Sequence, residues 1–466
     1  MGRPVARILS PFRSLYRRFG PGGCLLLTVG LGVATLLATT SCWYWRVSRQ
    51  EAEELARLKD AGEPATLAEL DVYYSRTAGQ QDLTASWLAA LEPLDGSSDG
   101  LAEELRLVGA ERAKTPLPGQ PWPEIDAARN LLAKYGSALR DLHAAARRHG
   151  DARYDVDLTR GMFSPLPHHG LIRQGIRLLT FEAGLRAYEG NVAACIEALH
   201  AAYALGRTLR REPIGLSLLV RIGCDGAARE QLRRLLPNLD CSPDQLMGLR
   251  ADVRAIDYAE GLQRALVGER VLGLAAFRDP SILNEPSEQG GFATIMKVLS
   301  FGDLPRFLRY MDRLRQAARL PPPANLQAAE EIDRELRDLF DDRSAWGPMR
   351  HFLLKTHLQL KCDLFRAAVR AEAWSRCADA TLAVEQFRRE AGRLPTSLDE
   401  LVPRLLDAIP TDPFDGERLR YAIMPSGYRL YSVGPDRIDQ GGTSDDSSTP
   451  PDLTFDVEIK QNADDR

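Results

Sequence analysis

The sequence predicts a mainly α protein, with an N-terminal transmembrane helix, a helical array of αα-hairpins, and then a long helix packed on a small antiparallel β-sheet. Three observations predict this fold class. No charged residue lies between Arg18 and Arg46. From Glu51 to about Arg393, apolar residues recur mostly at intervals of three and four, which is typical of helices. Beyond Arg393 the apolar residues alternate at period two, which favours strands.

Composition places the bulk of the chain among soluble globular proteins. Its 466 residues are 44% hydrophobic and 27% charged, with a formal net charge of −4. No basic surface for nucleic acid is therefore expected, and the length suggests two or three packing units. The seven cysteines include no CxxC pair, which argues against a disulfide framework. Cys362 and Cys377 lie on one predicted helix, roughly 22 Å apart, which is too far to bridge.

The first predicted element is a membrane anchor. Residues 22–45 would span roughly 36 Å as a helix, enough for the hydrocarbon core of a bilayer. Trp43, Tyr44 and Trp45 then lie at one interface, and the arginines before residue 19 meet the positive-inside rule. We therefore expect a single-pass protein of the bacterial inner (cytoplasmic) membrane, with a cytoplasmic N-terminus and an extracytoplasmic bulk. A cleaved signal peptide and a lipoprotein signal ending at Cys42 are the alternatives.

The predicted organisation has five parts: a basic cytoplasmic tail (1–21), the transmembrane helix (22–45), an extracytoplasmic helical domain (46–345), a long helix with a small β-sheet (346–460) and a disordered tail (461–466). Pro and Gly punctuate the helical region at the spacing of helix ends. The helices expected there are Glu51–Lys59, Leu67–Tyr74, Leu83–Leu91, Leu101–Ala113, Pro123–Arg148, Leu171–Tyr188, Val192–Arg210, Ile214–Leu235, Pro243–Phe277, Ala293–Ala318, Asn325–Leu339 and Arg350–Ala391.

One predicted helical hairpin carries a pattern at Tyr188, Gly190, Asn191, Cys195, Ile196, Leu199 and Ala202. This pattern resembles the turn and second helix of a tetratricopeptide repeat. The resemblance covers one turn and one helix, and an ordinary αα-hairpin in a bundle is the alternative. Either arrangement stacks helix pairs and offers a packing surface to protein partners.

The C-terminal part is predicted to pair a long helix with three strands. The helix ends at Gly392 and Pro395. Residues 419–423 and 428–433 alternate across a Pro-Ser-Gly turn, which predicts a β-hairpin, and residues 453–458 are expected to add a third strand. Three strands need a covering helix to be stable, and the long helix can supply it.

The C-terminal part carries a combination of motifs at Leu382, Phe387, 392–395, 398–401, 412–416, 419–421, 431–436, 441–442 and Asp452. Through these motifs, residues 378–457 resemble the C-terminal domain of the major pseudopilin of type II secretion systems. In that family the last loop folds around a calcium ion, and the resemblance implies Asp436, Asp439 and Asp452 as ligands, with Asp445 and Asp446 as alternates. Hard cations take several carboxylate and carbonyl oxygens, as this loop offers. A solvated acidic loop is the alternative.

The chain departs from a pseudopilin at its N-terminal side. A pseudopilin has a short leader and a hydrophobic helix that runs directly into the head, whereas here the apolar segment precedes the matching part by roughly three hundred residues. We therefore expect no polymerisation into a pseudopilus. The whole chain also is similar to a group of uncharacterised bacterial single-pass membrane proteins, through residues 62–67, 265–270 and 412–416.

Common sequence motifs of catalysis are absent: the sequence has no nucleophile elbow, Walker loop, dinucleotide fingerprint or HExxH motif. His168 and His169 could hold a metal, but neighbouring residues at a helix start are expected to point apart, which favours a helix-entry loop. His351 and His357 are expected to lie on different faces of one helix, which argues against a shared metal. Glu269 is expected to pair with a neighbouring arginine, Arg264 or Arg270, or else to be a buried acid with a raised pKa.

These observations favour a non-enzymatic scaffold in the bacterial envelope over two alternatives. The favoured protein binds partners through its helical domain and presents a pseudopilin-like C-terminal module, in a role linked to secretion or envelope assembly. The first alternative is an extracytoplasmic hydrolase with a pocket between helices, and the second is a module that binds cell wall or another ligand. An enzyme should show a pocket with converging titratable groups, whereas a scaffold should show an apolar groove or patch.

Overall fold

The computed structural model describes residues 10–75, 81–94, 100–110, 114–280, 300, 302–341, 351–359, 361–443 and 452–459. Within the first helix, side chains are described from residue 26 onward, except at 27 and 28. The predicted tail 461–466 lies outside these residues. The chain is mainly helical and carries one small antiparallel sheet, so the predicted fold class is confirmed at this level.

Within the described residues, 3-10 turns lie at Glu92–Leu94, Leu158–Phe163, Leu236–Asn238 and Leu398–Leu401. The α-helices of the described residues are α1 (Ser10–Asp60), α2 (Leu67–Ser75), α3 (Thr84–Leu91), α4 (Gly100–Leu107), α5 (Ile125–Lys134), α6 (Gly136–Ala146), α7 (Pro167–Tyr188), α8 (Val192–Arg207), α9 (Gly215–Leu235), α10 (Pro243–Arg254), α11 (Tyr258–Arg278), α12 (Leu304–Ala317), α13 (Ala324–Phe340), α14 (Phe352–Leu358) and α15 (Lys361–Ala391).

The first helix, α1, is 51 residues long. It joins the predicted transmembrane helix (22–45) and the predicted helix Glu51–Lys59 into one helix. Its described apolar side chains between Leu26 and Trp45 are exposed, whereas Val47 is buried where α1 packs against α12. Among the residues described, no helix combines the length and apolar character that crossing a membrane requires.

The predicted helical hairpin is formed by α7 and α8, which pack along each other and against α9. Gly190 adopts a positive φ of 74° in the connecting turn. Asn191 caps α8 because its side chain accepts a hydrogen bond from the Ala194 amide at 3.1 Å. These two residues fix the angle at which the chain enters the second helix.

Two predicted helices are each divided in the structure. The segment 123–148 breaks at Tyr135, between α5 and α6. The segment 243–277 breaks before α11, where the Asp257 side chain accepts a hydrogen bond from the Glu260 amide at 2.8 Å and starts a new helix. The apolar periodicity continues through both breaks, so periodicity alone predicted single helices.

The long helix α15 lies at the centre of the molecule. It contacts α9, α10, α11 and α13 on the helical side and β2 and β3 on the other. It is shorter at its start than the predicted helix 350–391, since α14 ends at Leu358. Cys362 and Cys377 both lie on α15, are buried and carry free thiols, as the sequence predicted.

The sheet has the predicted strands in the order β1-β2-β3, each pair antiparallel. Strand β1 is Arg420–Met424, β2 is Gly427–Ser432 and β3 is Leu453–Glu458. Tyr428 pairs with Val457 in the register, and the Tyr428 hydroxyl donates to Glu385 on α15 at 2.9 Å. One continuous hydrophobic core runs from α3 through the helical region to these strands.

Candidate functional site

The predicted calcium ligands lie in and after the loop that follows β2. Asp436 accepts hydrogen bonds from the Ile438 amide at 3.0 Å and from the Gln440 side chain at 2.7 Å. Asp439 accepts from the Tyr431 hydroxyl at 3.1 Å and from the Gly441 amide at 2.9 Å. Both carboxylates therefore already have local donors.

Asp452, just before β3, is fully buried. Its Oδ2 accepts hydrogen bonds from the amides of Gly442 and Thr443 at 2.8 and 3.1 Å. Its Oδ1 is buried without a hydrogen-bond partner among the described atoms. Burial, together with the nearby charge of Asp439, raises the pKa of the Asp452 carboxyl above its ordinary value, although the two backbone amides oppose this.

The three aspartates are not gathered into one compact group. Within the described part of the chain, the group of three metal-ligating side chains whose ligand atoms lie within 4.8 Å of one another is His168, His169 and Glu212. The alternates Asp445 and Asp446 lie outside the described residues. Calcium at this loop therefore stays a prediction, with the unpartnered Oδ1 of Asp452 as the observation in its favour.

The Asp412–Gly416 motif holds the base of this loop together. Asp412 is fully buried and accepts hydrogen bonds from the Phe414 amide at 3.0 Å, the Ser432 hydroxyl at 2.8 Å and the Val433 amide at 2.8 Å. Arg420 neutralises it, with Nη1 2.9 Å from Oδ2. The motif thus joins the strand hairpin to the turn before it, a role that its sequence pattern did not predict.

The expectation that His168 and His169 point apart is wrong, because both rings reach one carboxylate. The Nε2 of His168 lies 2.9 Å from Oε2 of Glu212, and the Nε2 of His169 lies 3.3 Å from Oε1. Successive helix positions differ by about 100°, but Glu212 lies in the gap between the two rings. Glu212 is more than forty residues away in the sequence, so no local pattern could have revealed the contact.

The His168, His169 and Glu212 cluster is buried and has its own supporting contacts. The Ser217 hydroxyl donates to Glu212 Oε1 at 2.6 Å. The Tyr154 ring stacks on His168, with ring centroids 4.3 Å apart and planes inclined by 11°. Burial opposes ionisation of Glu212, but hydrogen bonds from the two imidazoles outweigh it and lower the pKa of Glu212 to about 2. The cluster therefore contains a carboxylate anion.

Glu269 pairs with a lysine from a distant helix, so the expected pairing with Arg264 or Arg270 is wrong. The Lys361 ammonium contacts Glu269 Oε2, and the Gly215 amide donates to Oε1 at 2.8 Å. Burial would raise the pKa of Glu269, but the charge and hydrogen bond of Lys361, together with the hydrogen bond from the Gly215 amide, outweigh it, and the pKa lies below its ordinary value. The alternative of a buried acid with a raised pKa is therefore also wrong.

His351 and His357 occupy different surroundings. His351 Nδ1 lies 2.8 Å from Asp303. His357 is 2% exposed and lies between two phenylalanines, with ring centroids 6.2 Å from Phe277 and 6.1 Å from Phe307. Burial, followed by the positive charge of Lys361, lowers the pKa of His357 to about 4.

Arg270, the other partner expected for Glu269, instead holds the segment that follows α1. Its guanidinium is buried, with Nη1 2.5 Å from Glu63 and Nη2 3.0 Å from the Pro64 carbonyl. Arg315 contacts the same carboxylate. We call Glu63, Arg270 and Arg315 the α1 latch, because they fix the end of α1 to α11 and α12.

An open apolar cleft of about 560 Å³ lies beside the α1 latch, between the end of α1 and α2. Leu55, Val72 and Tyr73 contribute apolar walls, and Arg278 lies at one side. Such a cleft fits an apolar segment of a protein or lipid better than a polar reactant.

Comparison with known proteins gives no significant match: no family model matches the sequence, and neither a curated protein nor a solved structure resembles the chain. The resemblance of residues 378–457 to a pseudopilin head therefore stays a prediction from the sequence.

Proposed function

We propose that this chain is a membrane-anchored extracytoplasmic scaffold of the bacterial envelope, which binds protein partners and presents a pseudopilin-like C-terminal module. The observation that carries the proposal is the exposed apolar surface of α1. Leu26 is 75% exposed, Leu31 is 70% exposed and Leu36 is 63% exposed. Soluble proteins rarely leave so long a run of apolar side chains uncovered, and a bilayer would cover it.

The polarity of the residues around this surface supports the proposed orientation. Trp43, Tyr44 and Trp45 are all more than half exposed and follow the apolar run, where aromatic rings favour the interface between membrane and water. The arginines precede it in the sequence. The body of the protein would then lie on the extracytoplasmic side.

The contacts of α1 with the body support the scaffold role. The α1 latch and the packing of α1 on α12 hold the body in a fixed position relative to the C-terminal part of α1. The apolar cleft at residues 55–73 lies next to that junction. A partner bound in this cleft would be held near the membrane surface.

Membrane association is tested with the double substitution Leu31→Arg/Leu36→Arg. Each arginine at the centre of a membrane span costs about 3 kcal/mol, so the variant should leave the membrane fraction for the soluble fraction. Leu107→Arg is the matched control, because Leu107 is 66% exposed on the body, and it should stay in the membranes after alkaline carbonate extraction. A wild-type chain that is soluble without detergent contradicts the proposal.

The processing alternatives are separated by mass spectrometry of the intact chain. A retained anchor gives the full-length mass, a cleaved signal gives a chain without its first residues, and a lipoprotein gives a lipid-modified chain that begins at Cys42. The proposal of a transmembrane anchor requires the first result, and each of the other two contradicts it.

Partner binding is tested by cross-linking and purification from solubilised membranes. Secretion or envelope components should co-purify with the wild-type chain, and Val72→Glu in the cleft should reduce their yield. Leu107→Glu, on another exposed surface, should not. The scaffold proposal fails if no envelope component is captured while the purified chain hydrolyses a member of a substrate panel.

A further inference from the structure

The cluster of His168, His169 and Glu212 offers a ligand set that the scaffold function does not use. Two imidazole nitrogens and one carboxylate form the ligand set of many three-residue zinc sites. We propose that this cluster is a buried zinc site that joins the start of α7 to the segment between α8 and α9.

The positions of the ligand atoms fit a small divalent ion. Zinc with bonds of about 2.0–2.1 Å in tetrahedral geometry places its ligand atoms roughly 3.3 Å apart. His168 Nε2 lies 2.9 Å from Oε2 of Glu212, and His169 Nε2 lies 3.3 Å from Oε1 of the same carboxylate. One ligand atom from each of the three residues can be chosen so that all three lie within 4.8 Å of one another.

The burial of the cluster also suits a bound cation. Glu212 is only 4% exposed. Its side-chain neighbours at hydrogen-bond distance, among the described residues, are two imidazoles and the Ser217 hydroxyl. A buried carboxylate needs a compensating partner, and a zinc ion would supply one.

Neighbouring groups already orient the ligands. The Ser217 hydroxyl fixes the plane of the Glu212 carboxylate, and the stacked Tyr154 ring fixes the plane of the His168 imidazole. Outer contacts of this kind position metal ligands and strengthen binding. An ion at this buried position would hold the start of α7 to the segment between α8 and α9.

The same chain provides a matched control. His143 Nε2 lies 2.8 Å from Glu182, so it forms a similar part-buried imidazole–carboxylate pair. This pair has one imidazole only, and the Arg186 guanidinium lies 3.8 Å from the same carboxylate. A resident positive charge disfavours a second cation there, so His143→Gln should leave zinc binding unchanged.

The experiment uses the full chain in detergent, stripped with a chelator and titrated with zinc by calorimetry, with elemental analysis of the product. The wild-type chain should bind one equivalent and unfold at a higher temperature with zinc than in chelator. His169→Gln and Glu212→Gln should each lower the zinc affinity by about 100-fold or more, and Ser217→Ala by about tenfold. Cobalt(II) should give the intense visible absorption of a tetrahedral ion.

The unfolding temperature in chelator separates loss of zinc from loss of fold. A variant that unfolds cooperatively in chelator, but whose unfolding temperature is not raised by zinc, supports the site. The proposal is overturned if the wild-type chain takes up no zinc, or if His169→Gln and Glu212→Gln bind it as tightly as the wild type does. It is also overturned if His143→Gln abolishes binding.

Discussion

Oδ1 of Asp452 is buried and has no hydrogen-bond partner among the described residues, so we expect the stability of the chain to depend on calcium. If calcium binds there, it supplies the missing partner for Oδ1, and excess calcium at about 100 times the dissociation constant should stabilise the fold by about 2.7 kcal/mol. Asp452→Asn keeps an oxygen for the amides of Gly442 and Thr443 but removes the charge. Without calcium this variant should be at least as stable as the wild type, because burial raises the pKa of Asp452 and makes its charged form costly.

The measurement is thermal unfolding of both chains in chelator and in calcium. Calcium should raise the unfolding temperature of the wild type only, so the order of stability of the two chains reverses between the two conditions. Asp407→Asn, at an exposed position, should respond to calcium as the wild type does. If calorimetry of the wild-type chain with calcium gives no heat, and chelator does not change its unfolding temperature, then calcium does not bind this loop.

His357 should make the fold sensitive to mild acid. Its pKa lies near 4 in the folded chain, below the ordinary value of 6.5, so the unfolded chain binds a proton that the folded chain does not between these values. The contribution to stability is fully present above about pH 6.5 and is lost as the pH falls toward 4. Its size is at most roughly 3 kcal/mol.

The groups that face His357 are the charged Lys361 and Glu269 and the rings of Phe277 and Phe307. His357→Leu removes the titrating ring, so the free energy of unfolding, measured in urea from pH 7 to 4, should fall less steeply than in the wild type. The exposed His149 provides the control, since His149→Leu should keep the wild-type slope. Equal slopes for all three chains would contradict a depressed pKa at His357.

The α1 latch determines how firmly the C-terminal end of α1 is held to α11 and α12. Burial opposes ionisation of Glu63, but hydrogen bonds from Arg315 and Arg270 outweigh it and hold the pKa of Glu63 below its ordinary value. Glu63→Gln leaves the buried Arg270 guanidinium without a charged partner, which should cost roughly 3 kcal/mol of the free energy of unfolding. Proteolysis should also become faster between Asp60 and Leu67.

Glu103→Gln is the control for the α1 latch. Glu103 pairs with Arg106 at 2.7 Å on the surface of α4, where such a pair is worth under about 1 kcal/mol. Urea unfolding should therefore distinguish the two variants clearly. A Glu63→Gln chain as stable as the Glu103→Gln chain would mean that α1 is held by packing on α12 alone.

The elements differ in how well the sequence predicts them. Strands β1 to β3 were predicted within about two residues, because period-two alternation and the Pro-Ser-Gly turn are local signals. The helix breaks at Tyr135 and before α11 were missed, because the apolar period continues through them. The contacts of Glu212 with two histidines and of Glu269 with Lys361 were also missed, since they join residues that only the fold brings together.

At the scale of the whole molecule, α15 joins the helical region to the sheet. Arg250 on α10 donates to Asp379 on α15 at 2.9 Å and to the Leu405 carbonyl at 2.6 Å. Arg254 donates to the other oxygen of Asp379 at 3.0 Å. Asp379 therefore neutralises two arginines at a point where the helical region, the long helix and the loop before the sheet meet.

Asp379→Asn should weaken both parts of the molecule together. The substitution leaves the buried Arg250 guanidinium without an anion, which should lower the free energy of unfolding by about 3–5 kcal/mol. Because α10 and β2 belong to one continuous hydrophobic core, we expect both elements to be destabilised. Hydrogen exchange should therefore speed up in residues 243–254 and 427–432 alike, whereas Asp363→Asn, which breaks an exposed pair with Arg366 on the same helix, should change neither. Faster exchange confined to one of the two segments would show that the sheet and the helical region unfold separately, despite the core they share.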